Sequence, residues 1–513
     1  MPSAFLFVTL VACQDPTGPG VVLRQSPDAT SEPVPEPVDV LGEPAESLDV
    51  IVVGAGPAGL AALDAAVQAG ATARVFERAD TIGGNGPYAG RYYGVGTKFQ
   101  RAAGIEDTVE QALEDWEEVT LGGDPSDPRV VRFVERSAEV VEWAVDQLGS
   151  PMFYVAPELE FEMPARQHAL GGGDKSPTMK LAGLYPDLIV TGREVDGLVY
   201  DDGRVIGVTY TDLASGSTGW AQARGGVVVA AGGFGRALDR VMAVHPEVAG
   251  VLGHTEIGPT AVGAAVPWVA AGGAAWQAQP GVGFFVHSVA DPRDGREGEV
   301  LWMPAAHRMM VVNSDGRRVA NEYLATGFRM VDVLLEQDDQ RLFGFAGRRD
   351  TPSLQVPPYN VVDGVTTFKI DAAADLGAIV VADSVAACAQ ALGVDPAGVE
   401  GSVRAYNQIS VSGSDEEFDK SARDAPPIHD APGQVVCAEL VVAASKSYTG
   451  FAADYDMHLV DGDGASIEGL FGAGEFVGML GSAGMGGGAS GTITAVLLTG
   501  QIAGENAARD AHP

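Results

Sequence analysis

The sequence predicts an α/β fold built around a Rossmann-like dinucleotide-binding unit, and three observations carry that prediction. The first is an apolar, β-branched run, Val50-Ile51-Val52-Val53, with the length and composition of a buried parallel strand. The second is Gly54-x-Gly56-x-x-Gly59 directly after it, followed by an Ala-rich helical stretch to Ala69 and a Gly70 stop. The third is a second strand, Ala73-Arg74-Val75-Phe76, that ends on the acidic Glu77. In such a unit Gly54 makes the tight turn, Gly56 lets backbone N–H groups reach a pyrophosphate, and Gly59 lets helix and strand pack closely. Pro57 and Ala58 open the helix, whose unpaired N–H groups and positive dipole end face the phosphates. Glu77 is placed to accept hydrogen bonds from a ribose hydroxyl, with Arg78 beside it. A GxGxxG alone also suits a Gly-rich turn without a ligand. Strand, helix, second strand and terminal acid together point to a nucleotide.

Composition bounds the rest. At 513 residues the chain exceeds a single core, so two domains with accessories are expected. Glycine is abundant, with 68 residues, as suits a chain that approaches a cofactor closely at many points. A formal net charge of −37 excludes nucleic acid and anionic membrane surfaces as partners, because phosphates are repelled. It is compatible with a salt-adapted or extracytoplasmic protein. There is no CxxC, no paired-His ligand spacing and no stretch long enough to span a membrane, so no metal site is expected.

The N-terminus reads as a targeting segment. Residues 4–12 are apolar and run into Leu10-Val11-Ala12-Cys13, which resembles a bacterial lipoprotein signal whose Cys13 becomes the lipidated first residue. The expected Lys or Arg before the apolar core is missing. Residues 14–47 are rich in Pro, Glu, Asp and Ser and read as an extended tether. The expectation is an extracytoplasmic protein anchored to a membrane only through Cys13. The alternative is a cytoplasmic enzyme with a disordered tail. Cys388 and Cys437 fall in a predicted helix and a predicted strand, and whether they meet is open.

A second glycine-rich turn, Thr81-Ile82-Gly83-Gly84-Asn85-Gly86, follows Glu77, and Gly84 and Asn85 are placed near the pyrophosphate or flavin. With ERADTIGGN, GTKFQRAAGIEDTVE and DPRVVRFVERSAEVVEWAVDQLG in that order, the chain resembles the flavoprotein family of soluble fumarate reductases. That family includes the flavin subunit of succinate dehydrogenase, urocanate reductase and 3-ketosteroid dehydrogenases. The resemblance covers about residues 48 to 508. It continues through the 227–235 strand and turn with Gly232 and Gly233, the 313–322 turn, the 392–395 and 404–407 segments, and the closing 469–475 and 486–491 segments.

The resemblance implies a Rossmann-like FAD-binding domain over 48–239 and 371–513, interrupted by an α+β capping domain over 240–370. It implies that Glu475 reaches a ribityl or ribose hydroxyl and that Gly488, Ala489 and Ser490 face the flavin pyrimidine end. A helix N-terminus there stabilises the charge of a reduced flavin. Membrane-bound members carry the flavin on a His after the GGN turn. Residues 83–100 contain no His, so non-covalent FAD is expected.

The catalytic pattern departs from the family. The family's proton-donating Arg, counted five residues from Asn321, falls on Thr326, and the Tyr used by ketosteroid dehydrogenases is missing there too. The nearest cation is Arg329, three residues on. The position that grips a substrate carboxylate falls in Gly481-Ser482-Ala483-Gly484-Met485-Gly486, which has no charge. In Lys446-Ser447-Tyr448-Thr449-Gly450, Ser447 or Tyr448 stands in for the family's His. His287 falls near the family's substrate His if a short insertion is allowed. Trp276, Phe284, Phe285, Trp302 and Met303 suggest an apolar roof or plain core.

The expected activity is therefore an FAD-dependent oxidoreductase moving a hydride between flavin N5 and an activated C–C bond of a small molecule less anionic than fumarate. Proton transfer falls to Tyr323, Arg329 or His287, or to water held by Thr326. Two alternatives stand beside it: a true fumarate- or urocanate-type reductase with Arg329 displaced into the donor site, and a flavin-binding electron carrier without turnover. No haem-attachment or cluster cysteines occur, so a reductive direction needs an external electron donor protein or a quinone.

Overall fold

The alternation within Val50–Val53 decides the layering. The structure, a computed structural model, describes residues 23–24, 38–39, 42–116, 124–156, 163–277, 281–303, 306–323, 329–357, 365–481 and 490–512. In β1 (Glu46–Val53) Val50 and Val52 face one apolar cluster, while Ile51 and Val53 face another, and all four are buried. That is what a parallel strand covered on both faces requires. β1 pairs in parallel with β2 (Ala73–Phe76), which pairs in parallel with β3 (Ile189–Val190). β4 (Arg193–Asp201), β5 (Arg204–Asp212) and β6 (Thr218–Val229) form an antiparallel meander, and β6 then runs parallel to β1. The order across the sheet is β4-β5-β6-β1-β2-β3.

A second nine-stranded sheet stands beside the first. Its strands are β7 (Leu252–Thr255), β8 (Val282–Ala290), β9 (Val300–Trp302), β10 (Met310–Val312), β11 (Leu342–Gly347), β12 (Ser353–Gln355), β13 (Thr367–Lys369), β14 (Val380–Ala382) and β15 (Val435–Ser447). β15 is its spine: the first half pairs with β11 and β14, the second half with β7 and β8. β14 and β15, both beyond residue 370, therefore belong to this sheet. The chain then returns to the first sheet through β16 (His458–Val460) and β17 (Ser466–Gly472), which pairs in parallel with β6.

Helices cover the outer faces. α1 (Pro57–Gln68), α2 (Pro128–Asp146) and α5 (Ser490–Ala511) pack on the Val50/Val52 side of the first sheet. α3 (Val385–Leu392) and α4 (Pro396–Ser412) cover the far side of the second sheet. One continuous apolar core, from Ile51 and Val229 to Phe284 and Val436, lies between the sheets. α5 approaches α1 closely: a Cβ on Gly500 or Gly504 would lie 2.2 Å and 2.1 Å from the carbonyl oxygens of Ala58 and Ala62.

Cys388 on α3 and Cys437 on β15 are joined as a disulfide, with Cα atoms 6.1 Å apart, and both are fully buried. Two pieces of the expected tether are strand-paired. Leu23–Arg24 lies antiparallel to residues 276–277, and Val38–Asp39 runs parallel along β4. Exposed sheet edges offer unpaired backbone groups that such segments satisfy. Cys13 lies outside the described residues. Among the described residues no helix is long and apolar enough to cross a membrane, and no cluster of His, Cys, Asp or Glu is arranged to hold a metal.

Candidate active site

The turn after β1 forms the first half of the site. Gly54 has φ +102°, a left-handed conformation that favours glycine, and its N–H donates to Phe76 O at 2.8 Å. A Cβ on Gly59 would sit 1.9 Å from Gly54 O, so only glycine lets α1 start this close to β1. Gly56 is the opposite case, because a Cβ there meets nothing within 4 Å. Its free side opens outward at the N-terminus of α1, where Pro57 is the first helical residue, Ala58 follows, and no side chain caps the helix. Glu77 ends β2 against this turn, its carboxylate accepting the N–H groups of Ala55 at 2.7 Å and Ala79 at 2.8 Å. The second glycine turn is tied in by Gly83 N–H to Ala55 O at 2.8 Å, and a Cβ on Gly84 would be 3.6 Å from Gly56 Cα. Asn85 begins the short 3₁₀ turn that follows. Arg78 turns to Glu194, 3.5 Å away, on a half-exposed edge.

An open glycine at an uncapped helix N-terminus, with an acid at the neighbouring strand end, fits the pyrophosphate and ribose of FAD. The residues present are of the right chemistry, and when bound the FAD supplies hydride chemistry at flavin N5.

The second half forms where β15 meets the turn after β17. Ser447 donates its N–H to Glu475 Oε1 at 2.8 Å and its hydroxyl to the same oxygen at 3.1 Å. Gly233 lies directly beneath, since a Cβ there would come within 2.0 Å of Ser447 Oγ and 2.1 Å of Glu475 Oε1. Gly232, with φ +76°, leads into it. Beyond Glu475 the backbone turns sharply, with Gly478, Met479 and Leu480 at φ +69°, +50° and +58°. Two non-glycine residues in the left-handed region mark local strain of the kind that clusters at ligand sites. Gly488 and Ala489 lie outside the described residues. Ser490 opens α5.

Burial pushes the Glu475 carboxyl above its ordinary range, against the hydrogen bonds from Ser447 and the charge of Lys446. Burial pulls the Lys446 ammonium down, against the carboxylates of Glu475 and Glu256. Tyr448 is fully buried, which raises its phenol well above its ordinary value.

Glu256 joins these residues to His287. It follows β7, and its N–H donates to Ala444 O at 2.9 Å, which places it beside the end of β15. The neighbouring Thr255 hydroxyl bonds to Gly235 O at 3.3 Å and Ala444 O at 3.2 Å, tying the segment to the turn after β6. The buried Glu256 carboxylate takes His287 Nε2 at 3.3 Å and Trp302 Nε1 at 3.1 Å. His287 stays partly exposed, its ring 4.7 Å from that of Phe285. Phe285 and Tyr448 belong to the cluster on the dinucleotide side, whereas Trp276, Phe284 and Met303 are core between the sheets.

Tyr323 and Arg329, the other candidates for proton transfer, have contacts of their own. Tyr323 donates its hydroxyl to Asp424 at 2.6 Å and lies 5.4 Å from the His307 ring. Arg329 is exposed ahead of the helix Met330–Leu335, where its charge meets Asp332. Thr326 lies outside the described residues. The preceding Glu322 is fully buried in an ion network with Arg318 and Lys420, at 2.8 Å and 2.9 Å. That network explains the 313–322 turn as a folding device.

Lys446 and Glu256 are the residues that sequence reasoning passed over. Lys446 did carry a signal, as the one charged residue of Lys446-Ser447-Tyr448-Thr449-Gly450. Glu256 carried none, because only the pairing of β7 with β15 brings it to the site.

The family model of the FAD binding domain matches residues 49–491. Urocanate reductase from Eggerthella lenta is 27% identical over 488 residues, covering 90% of this chain and 74% of that protein. Among solved structures, the open conformation of a flavocytochrome c3 fumarate reductase matches with a TM-score of 0.71 and 25% identity, over 92% of this chain and 79% of that one. A 3-ketosteroid-Δ4-(5α)-dehydrogenase from Rhodococcus jostii RHA1 shares the fold, with a TM-score of 0.68 and 24% identity, over 93% of this chain and 99% of that one. The glycine cradle, the Glu77 and Glu475 carboxylates and these likenesses agree: the chain belongs to the FAD-binding fumarate reductase and succinate dehydrogenase flavoprotein family and is an FAD-dependent oxidoreductase.

Proposed function

We propose that the protein is an exported FAD-dependent oxidoreductase acting on an activated C–C bond of a small molecule less anionic than fumarate. The observation that carries this reading is the junction at the end of β15, where Ser447 holds the Glu475 carboxylate at 2.8 Å, Glu256 is fastened to Ala444 at 2.9 Å, and the charge of Lys446 acts on both carboxylates. A substrate carboxylate leaving water needs charge-assisted hydrogen bonds to replace its hydration, at a cost of several kcal/mol otherwise, roughly the price of an unpaired buried charge. One ammonium shared with two protein carboxylates does not supply them for a dianion. A carbonyl oxygen, by contrast, needs only a single donor such as Lys446 or His287.

In this reading His287 is the proton-transfer residue. Glu256 accepts from Nε2 and so orients the ring. Ser447 fixes Glu475 against the cofactor, and the buried Phe285 and Tyr448 exclude water from the reacting face. FAD is held non-covalently, since residues 83–100 offer no His. Electrons for a reductive direction come from an external carrier, as this chain has no CxxCH. Export is supported by the Cys388–Cys437 disulfide, a bond that persists in oxidising compartments, and by the lipoprotein-like sequence ending at Cys13. The likenesses to urocanate reductase and a fumarate reductase favour a second reading, a dicarboxylate- or urocanate-type reductase with Arg329 as donor.

The test is to load the protein with FAD, reduce it without oxygen, and offer fumarate, urocanate, a quinone and uncharged enones in turn. Return of the oxidised flavin spectrum with enones alone supports the proposal. Rapid return with fumarate favours the second reading. No return with any acceptor, at full FAD occupancy, favours an electron carrier without turnover.

A further inference from the structure

We infer that Glu256 is a specificity-determining residue whose buried carboxylate turns anionic substrates away from His287. The inference rests on the substrate-side placement of His287 given above. Four observations carry it. Glu256 is buried, with 6% of its surface exposed, yet it touches His287, which is partly open. Its position is built rather than incidental. The backbone N–H is fastened to Ala444 O at 2.9 Å, and Thr255 before it is fastened to Gly235 and Ala444. Its carboxylate is held from a second side by Trp302 Nε1 at 3.1 Å, a donor that brings no charge of its own. Finally, Lys446, the cation that would neutralise it, is shared with Glu475.

A fixed negative charge in a water-poor setting acts on an incoming carboxylate far more strongly than it would in water. The carboxylate cannot swing away, because Trp302 and His287 hold it and the chain on either side is pinned. An ester or ketone of the same shape feels no such repulsion. Discrimination between an acid and its ester is therefore the property that Glu256 controls, and rejecting the wrong partner is a recognised route to specificity.

The experiment compares Glu256→Gln with the wild type, both loaded with FAD. Glutamine keeps the shape and an acceptor oxygen for Trp302 and His287 while removing the charge. Binding of succinate and of dimethyl succinate, saturated molecules that cannot accept hydride, is followed by the change they cause in the flavin spectrum. Reoxidation of the reduced protein by fumarate and by dimethyl fumarate is followed in parallel. The variant is expected to bind succinate about tenfold or more tightly than the wild type, with dimethyl succinate unchanged within about threefold, and to shift the fumarate-to-ester rate ratio in the same direction. Lys446→Gln, removing the opposing cation, is expected to move succinate binding the other way. Unchanged or weaker succinate binding in Glu256→Gln, or an equal shift for both ligands, overturns the inference. If the wild type reduces the ester and the variant's selectivity does not move, the inference fails while the proposed function stands. If the wild type neither binds nor reduces the ester, both fail.

Discussion

The contact among Gly233, Ser447 and Glu475 gives the sharpest structural prediction. A methyl group at Gly233 would fall 2.0 Å from Ser447 Oγ and 2.1 Å from Glu475 Oε1, against an ordinary separation of at least about 3.4 Å. Both atoms belong to one hydrogen-bonded unit, so neither can retreat by more than an ångström without breaking it. Ser447 Oγ also accepts the N–H of Phe234 at 3.3 Å, so the displacement reaches the backbone after the glycine pair. Overpacking costs about 1–3 kcal/mol, and the lost hydrogen bond to a charged group about 1.5–3 kcal/mol. Gly233→Ala should therefore lose about 3–5 kcal/mol in the pocket, and with half of that falling on the cofactor, FAD affinity drops about 10- to 70-fold. Ser447→Ala, which removes only the hydroxyl, should lose about 1–2 kcal/mol. The assay is titration of apoprotein with FAD by quenching of flavin fluorescence, with thermal melts of apo and loaded forms. Wild-type affinity and melting temperature in Gly233→Ala would refute the geometry on which the second half of the site rests.

Three further outcomes follow from the same geometry. Gly56→Ala should leave apoprotein stability within about 0.5 kcal/mol of wild type while weakening FAD, because the added methyl meets no protein atom; Gly59→Ala should destabilise the apoprotein itself, and equal melting of the two would contradict this. Burial raises the Glu475 carboxyl above the ordinary carboxylate range in the fold, so its protonated form is the one that stabilises the apoprotein. That contribution is complete below the unfolded value and is lost as pH rises through the folded one. Glu475→Gln should thus gain apoprotein stability over wild type as pH climbs past the ordinary carboxylate range while binding FAD less well, and a wild-type pH profile in its melting curve would count against a raised Glu475 carboxyl. Cys388→Ser opens a disulfide that spans 49 residues, which chain entropy values at about 4 kcal/mol; denaturant unfolding should lose about 2–4 kcal/mol, and thiols that react freely in the unreduced wild type would show that no bond exists.

Much of the fold was legible because its signals are local. Val50–Val53 alternate between two apolar clusters, and Gly54, Gly56 and Gly59 each answer a separate local demand within six residues. Glu77 was legible for the same reason, since strand length alone brings it to the turn. The junction was not. Glu256, His287 and Lys446 come from three separate strands or their ends, up to 190 residues apart, and only the β7–β15 and β8–β15 pairings bring them together. The extent of the second sheet is hidden on the same ground. β15 looks like any apolar strand in sequence, yet it pairs with β7, β8, β11 and β14 and so belongs to the second sheet. Cys388 and Cys437 illustrate the middle case: their elements were predictable, but their meeting depends on how α3 packs across β15. Tyr323 and Arg329 were chosen by their nearness in sequence to Asn321. In the structure the one serves Asp424 and the other lies at the surface beside Asp332.

The central claim is that the site acts on an activated C–C bond and disfavours a dianion. Fumarate and its dimethyl ester share the same double bond and differ in charge, so their rates of reoxidising the anaerobically reduced, FAD-loaded protein test both parts at once. Faster reoxidation by the ester, by about tenfold or more over fumarate, is the result predicted from the Glu256 carboxylate 3.3 Å from His287 and from a Lys446 charge divided between Glu256 and Glu475. Reoxidation by fumarate at an equal or greater rate would contradict the account, and would return the search for a proton donor to Arg329.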